Sequence, residues 1–156
     1  MTNEFDYLCD VILHVSEISE NLETIASELR KRGMSHDRTK FQQLEFDTFV
    51  STREEFKQTS YGTPEYKAVC AKAQPAMDHH YSNNRHHTAY HENAVNDMNL
   101  IDIIELVCDW RAANRRNADQ CTMLESVKRG LSNEKYQISE QLAKIIINTF
   151  KDLGWI

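Results

Sequence analysis

At 156 residues the chain is long enough for one domain with a sizeable core, and 40% apolar with 27% charged residues is the composition of a soluble globular protein. A net charge of −6 argues against a nucleic-acid backbone as partner, which calls for a basic face, and no apolar run approaches membrane-spanning length. Four Gly and two Pro are too few for a turn-rich β fold and favour long helices. The N-terminal stretch MTNEFDYLCD has neither the basic region nor the apolar core of a signal peptide. Cys9, Cys70, Cys108 and Cys121 form no C-x-x-C pair. A reduced, cytoplasmic setting is therefore expected, with the cysteines acting as small apolar residues.

In chain order, Leu8, Val11, Ile12, Val15, Ile18, Leu22, Ile25 and Leu29 recur at three- and four-residue steps and predict a helix from about Phe5 to Arg32, stopped by Gly33. His14 falls at the edge of its apolar face, where a histidine is either a hydrogen-bonded boundary residue or a ligand. Ser35 is a reasonable N-cap for a second helix carrying His36 and Asp37 in its first turn and Lys40 one turn later. There Asp37 complements the helix dipole or binds a cation, and Lys40 is a solvated charge or a phosphate contact. Glu45 lies about a turn beyond Lys40.

The polar stretch from Ser51 ends at Tyr61-Gly62-Thr63-Pro64, and Pro64 suits the first position of a third helix reaching about Asn83. Val69, Ala73, Met77 or Ala76, His80 and Asn84 share a face of it. His79 is rotated by about 100° from His80, so His80 is the inward residue and His79 a supporting or exposed one. Pro75 kinks or divides this helix. Asn83 to Asp97 lacks periodicity but holds His86, His87 and His91, a histidine density that a surface loop does not need.

Met98 to Ala113 predicts a helix apolar nearly all round, hence buried on most sides. Asp102, Glu105 and Asp109 form one narrow stripe along it. Two stacked, buried carboxylates, Glu105 and Asp109, need a cation or a metal against them, or a pair of salt bridges to Arg111, Arg115 or Arg116. After a polar connection from Asn114 to Asp119, a short helix from Thr122 to Arg129 ends at Gly130. A last helix with Leu142, Ile145, Ile146, Phe150 and Leu153 is capped by Ser132 or Ser139. The expected fold is an all-α, single-domain helical bundle of about five to seven helices.

The chemistry-bearing residues run in the order His14, His36-Asp37, the histidine cluster, then Asp109, and five of the seven histidines lie between His79 and His91. Neutral imidazole and carboxylate are the ligand set for Zn, Mn, Fe and similar ions. That order resembles the HD-domain metal-dependent phosphohydrolase superfamily. Its pattern is a His on one helix, an adjacent His-Asp on the next and a distant Asp on a later helix. HDRTK looks like its H-D-x-x-K form, and His80 with His86 or His87 match the additional histidines of its two-metal branches. A closer resemblance is to a family of bacterial and phage proteins of unknown function. These carry His-Asp followed by Ser-Lys-Phe, then H-x-x-x-N-x-H-H, then an E-M-x-C-D-W helix. Here the segments are HDRTKF, HYSNNRHH and ELVCDW. Thr88-Ala89 stands where that family often has Pro-Glu.

The resemblance implies an HD-domain-like bundle with one or two divalent transition-metal ions (Mn, Fe, Co or Zn) held by His14, His36, Asp37, His80, His86, His87 and Asp109. Asp37, Lys40 and Glu105 are the expected catalytic residues. The implied activity is metal-dependent hydrolysis of a nucleotide or other small phosphoester, in the cytoplasm (of the bacterial host if the chain is phage-encoded). The alternatives are a non-enzymatic phage or host interaction protein with a structural metal, and a di-iron oxygenase on the same scaffold.

Overall fold

The computed structural model describes residues 3–116 and 122–156. Among them are six α-helices and no strand: α1 (Asn3–Ser35), α2 (Gln43–Lys57), α3 (Pro64–Asn83), α4 (Leu100–Arg116), α5 (Met123–Leu131) and α6 (Glu140–Asp152). Short 3-10 turns lie at Arg38–Phe41, Thr88–Tyr90, Ala94–Asp97 and Glu134–Tyr136. The all-α expectation holds. The chain divides into two compact units, Met1–Ser35 and His36–Ile156. The first is α1 alone. Cys121 and positions 117–119 of the polar connection lie outside the described residues.

The start of α1 agrees with the apolar periodicity, but its end does not. The helix runs through Gly33, and the Ser35 hydroxyl donates to the carbonyls of Lys31 and Arg32 at 3.0 and 3.3 Å. Ser35 therefore closes α1 instead of capping a second helix. The break falls at Asp37, with φ 56° and ψ 22°, a left-handed conformation that Asp tolerates better than most residues. His36 and Asp37 thus sit in a turn, not in a first helical turn, and α2 begins only at Gln43.

Elsewhere the capping chemistry predicts the boundaries well. The Thr63 hydroxyl accepts from the Tyr66 amide at 3.2 Å, with Pro64 next in line, and starts α3 as expected. Pro75 lies inside α3 without dividing it. Thr122 and Glu125 form a reciprocal capping box for α5. Ser139, not Ser132, caps α6 by accepting from Leu142 N.

Within the second unit α2 packs on α3, and α4 on α5. The core has two clusters. Val107, Met123, Val127, Ile146 and Phe150 join α4, α5 and α6, and Val95 and Met98 of the loop before α4 cluster with Leu106 of α4. Trp110 packs against both. The expectation that α4 is buried on most sides is corrected. Leu106 and Val107 are buried, but Leu100 and Ile104 are exposed, so α4 has one core face, one acidic face and one outward face.

Gly130 shows what that packing demands. A Cβ on it would meet Trp110 Cη2 at 2.7 Å, and the Trp110 ring is itself stacked on Tyr136 at 5.7 Å. In an open helix Gly→Ala stabilises by about 1 kcal/mol. Here overpacking outweighs propensity, and Gly130→Ala is expected to destabilise the protein by about 1–2 kcal/mol net, measured as a lower urea midpoint at unchanged slope.

Candidate metal centre

The site grows from three pieces of chain. The first is the turn at His36-Asp37. The Lys40 amide donates to the Asp37 carbonyl at 2.9 Å and closes it, while Lys40 Nζ donates to Asp37 Oδ2 at 2.5 Å. The second is the end of α3 and the bend after it. Asn84 donates its side-chain amide to the His80 carbonyl at 2.7 Å and to Thr39 Oγ1 at 2.8 Å. The His87 amide donates to the Asn84 carbonyl at 3.0 Å. This folds His86 and His87 back over His80, with His80 Nε2 and His87 Nε2 2.9 Å apart. The His36 and His86 rings lie 4.3 Å apart by centroid, and His86 and His87 4.0 Å apart.

The third piece is the acidic face of α4. Fully buried Asp102 takes both arms of Arg85, at 3.2 and 2.9 Å. It also exchanges capping hydrogen bonds with Asn99 at the helix start, at 2.9 and 3.3 Å. His91 Nε2 donates to the Arg85 carbonyl at 2.9 Å. Arg85, Asp102 and His91 therefore pin the histidine loop onto α4. The sequence carried a signal for this in the acidic stripe, but nothing in it named Arg85 as the partner of Asp102. One turn on, Glu105 and then Asp109 face the histidines.

Two carboxylates set the direction of the imidazoles. Glu45 is fully buried and meets His79 Nδ1 at 2.6 Å and His80 Nδ1 at 2.9 Å. Thr39 donates to the same carboxylate at 3.0 Å. Glu105 Oε1 meets His36 Nδ1 at 2.9 Å and His86 Nδ1 at 3.3 Å. With Nδ1 turned to a carboxylate, Nε2 of each of His36, His80 and His86 points inward. Such pairing is how metal-binding imidazoles are held in one tautomer and orientation.

Asp37 lies where these Nε2 atoms converge. Its Oδ1 is 3.2 Å from His80 Nε2 and 3.6 Å from His86 Nε2, and its Oδ2 is 3.5 Å from His36 Nε2. Asp109 Oδ1 is 3.7 Å from His36 Nε2. Ligand atoms about 2.1 Å from one tetrahedral ion stand roughly 3.4 Å apart. The ligand atoms of Asp37, His80, His86 and His87 all lie within 4.8 Å of one another, as do those of His36, His86 and Glu105. Asp37 Oδ1 and His86 Nε2 are buried without a hydrogen-bond partner. Orphaned polar atoms are costly, and two facing each other fit a shared cation. The donor set of imidazole and carboxylate is that of a borderline transition metal.

His14 is on exposed α1, in the first unit, and belongs to neither cluster. All the residues of both clusters come from the second unit.

The electrostatics follow the geometry. His36 is raised to about 10 by the Asp109 carboxylate beside it and then by its hydrogen bond to Glu105, with the Asp37 charge adding, although burial opposes it. Its closest carboxylate contact is Glu105. Burial pushes the Asp37 carboxyl up, but the nearby His80 imidazole and its bond to Lys40 outweigh this and hold it well below the usual carboxylate range. Asp109 is likewise lowered, the His36 imidazole beside it outweighing burial. Burial, with His86 and His80 beside it, lowers His87 to about 3.

A cleft of about 1430 Å³ borders the cluster. Lys40, bonded to Asp37, and Phe49, edge-on to His80 at 6.4 Å, both line it. Arg53, Lys57 and Arg129 add three more cations. Phe56, Tyr61, Tyr66, Trp110 and Tyr136 supply aromatic surface, and among the described residues no carboxylate lines it.

Fold and site together define an all-helical protein with a histidine–carboxylate cluster able to hold a metal ion. The chain belongs to DUF5662, a family of unknown function, whose family model matches residues 3–152. No curated protein and no solved structure matches the chain. No helix among the described residues is long and apolar enough to cross a membrane. Cys9, Cys70 and Cys108 are free thiols.

The shifted histidines predict a stability maximum near neutral pH in metal-free protein. A raised His36 contributes stability fully present below its unfolded value of 6.5 and lost as pH rises toward about 10. A depressed His87 contributes stability present above 6.5 and lost as pH falls toward about 3. The urea midpoint of chelator-treated protein should fall between pH 7 and pH 9, whereas that of His36→Gln should stay level over the same interval. A wild-type midpoint that does not fall would remove the assigned ion pairing of His36.

Proposed function

We propose that this protein is a metal-dependent phosphohydrolase of HD-domain-like type, acting on a nucleotide or other small phosphoester with one or two Mn, Fe, Co or Zn ions. One observation carries the reading. The cluster of Asp37, His80, His86 and His87, with its orphaned Asp37 Oδ1 and His86 Nε2, meets at Lys40 a cleft walled by cations and aromatic rings. Phosphate needs the cations, and a base or other flat leaving group suits the rings.

Asp37, His80, His86 and His87 would hold one ion, and His36 and Asp109, beside Asp37, extend the donor set. A divalent ion bound there supplies Lewis acidity at a phosphate oxygen and a source of hydroxide near neutral pH. The protein's own groups do the rest. Lys40 holds a phosphate oxygen as a point charge, and its bond to Asp37 fixes it at the edge of the cluster. Arg53, Lys57, which also bonds Glu54, and Arg129 line the same cleft and would bear further phosphate charge. Glu105 acts through His36 and His86, and Glu45 through His79 and His80, as positioning residues.

Metal removal should lower the melting temperature, because an ion that binds only the folded chain stabilises it by mass action. Elemental analysis before and after chelation checks this, and an unchanged melting curve after complete removal would count against the centre. In a screen of nucleoside mono-, di- and triphosphates, cyclic nucleotides and nitrophenyl phosphates with each metal, Asp37→Ala should abolish release of product. Lys40→Ala should cost roughly 10- to 100-fold in kcat/KM, mainly through KM, as expected for loss of one charge-assisted contact. His80→Ala should be more harmful than His79→Ala. No turnover above the Asp37→Ala control with any metal would sink the hydrolase reading. Stoichiometric metal without turnover would then support a structural ion, and a visible iron spectrum would support the oxygenase.

A further inference from the structure

Helix α1 has 33 residues and is about 50 Å long at 1.5 Å per residue. None of its residues is buried. Leu8, Val11, Val15, Ile18, Leu22, Ile25 and Leu29 follow alternating steps of three and four. This is the seven-residue repeat with apolar first and fourth positions. Its mean period of 3.5 keeps one seam facing a partner helix, which an unsupercoiled 3.6-residue helix does not. Leu8, Val11, Val15, Ile18, Leu22 and Ile25 are 39–61% exposed. A contiguous apolar seam of this length is an interaction surface.

The charges say what covers it. Glu4, Asp6 and Asp10 stand at the N-terminal end of α1, and Arg30, Lys31 and Arg32 at its C-terminal end. Arg30 and Lys31 are 65% and 72% exposed and meet Glu23 and Glu28 of the same helix at 3.4 and 3.6 Å. A second α1 running antiparallel sets each basic end against an acidic one. A parallel copy sets like against like at both ends, and aligns the two helix dipoles unfavourably.

We infer that α1 is a dimerisation helix, pairing antiparallel through this seam with α1 of a second copy of the chain. The inference rests on α1 alone and stands or falls separately from the metal centre.

Sedimentation equilibrium of the full chain from about 1 to 100 µM tests it. The wild type is expected to be a dimer, and Ile18→Glu a monomer with the far-UV spectrum and metal content of the wild type. Should Ile18→Glu fail to fold, the surface variant Glu4→Lys/Asp6→Lys/Asp10→Lys decides. In an antiparallel pair it makes both ends repulsive and raises the dimer Kd at least about tenfold at low salt. In a parallel pair like already faces like, and the Kd stays level. A wild-type chain that remains monomeric throughout overturns the inference and leaves the seam to be covered within one chain. A dimer that survives Ile18→Glu, or one indifferent to the charge variant, overturns the seam or the antiparallel arrangement respectively.

Discussion

The candidate centre depends on two buried carboxylates, Glu45 and Glu105, each held between two imidazole Nδ1 atoms. A carboxylate as inaccessible as Glu45 is tolerated only when fully paired. Here the pairing has a second consequence. It leaves Nε2 as the inward atom on His36, His80 and His86, all directed at Asp37. Replacing either glutamate by an apolar residue would remove a charge and free two imidazoles to turn, neighbours on α3 for Glu45 and on separate pieces of chain for Glu105. The orphaned atoms of Asp37 and His86 are then a product of the scaffold, which holds donors facing each other that would otherwise separate.

Helix α4 connects this scaffold to the core. Leu106 and Val107 bury its apolar side, and Val107 joins α5 and α6 through Val127, Ile146 and Phe150. Its acidic side carries Asp102, Glu105 and Asp109 one turn apart. Asp102 spends its charge on Arg85 and on the helix N-terminus, so it anchors the loop and takes no part in the cluster. Glu105 orients imidazoles, and Asp109 lies against His36. Three acids of one stripe thus have three different tasks, separated by what faces them.

Net charge is a poor guide to the local field. The chain carries −6 overall, yet among the described residues the cleft beside the cluster is lined by Lys40, Arg53, Lys57 and Arg129 and by no carboxylate. Clefts focus the field of the charges that line them, so an acidic protein can present a cationic pocket to an anionic ligand. The same separation recurs along α1, acidic at one end and basic at the other.

Much of the fold was legible because caps and periodicity act over one or two turns. Thr63-Pro64, Thr122 and Ser139 mark helix starts through bonds within four residues. The inward face of His80 follows from its spacing to Val69, Ala73 and Ala76, all of which are buried. The turn at His36-Asp37 was not legible. Gly33 and Ser35 carry the usual stop and start signals, but a Gly within a helix costs only about 1 kcal/mol, which the rest of α1 outweighs. The outward face of α4 was also missed, since apolar residues do not announce which of them meet a neighbour. By itself the sequence determined the all-helical class, the ligand-type residues and the acidic stripe, because these depend on composition and short-range spacing. Only the tertiary structure decided that Glu45 from α2 and Glu105 from α4 each hold two imidazoles, that Asp102 goes to Arg85, and that the cationic cleft opens at Lys40. Those pairings join residues 17 to 69 positions apart, and their partners are selected by packing and burial, which no local pattern encodes.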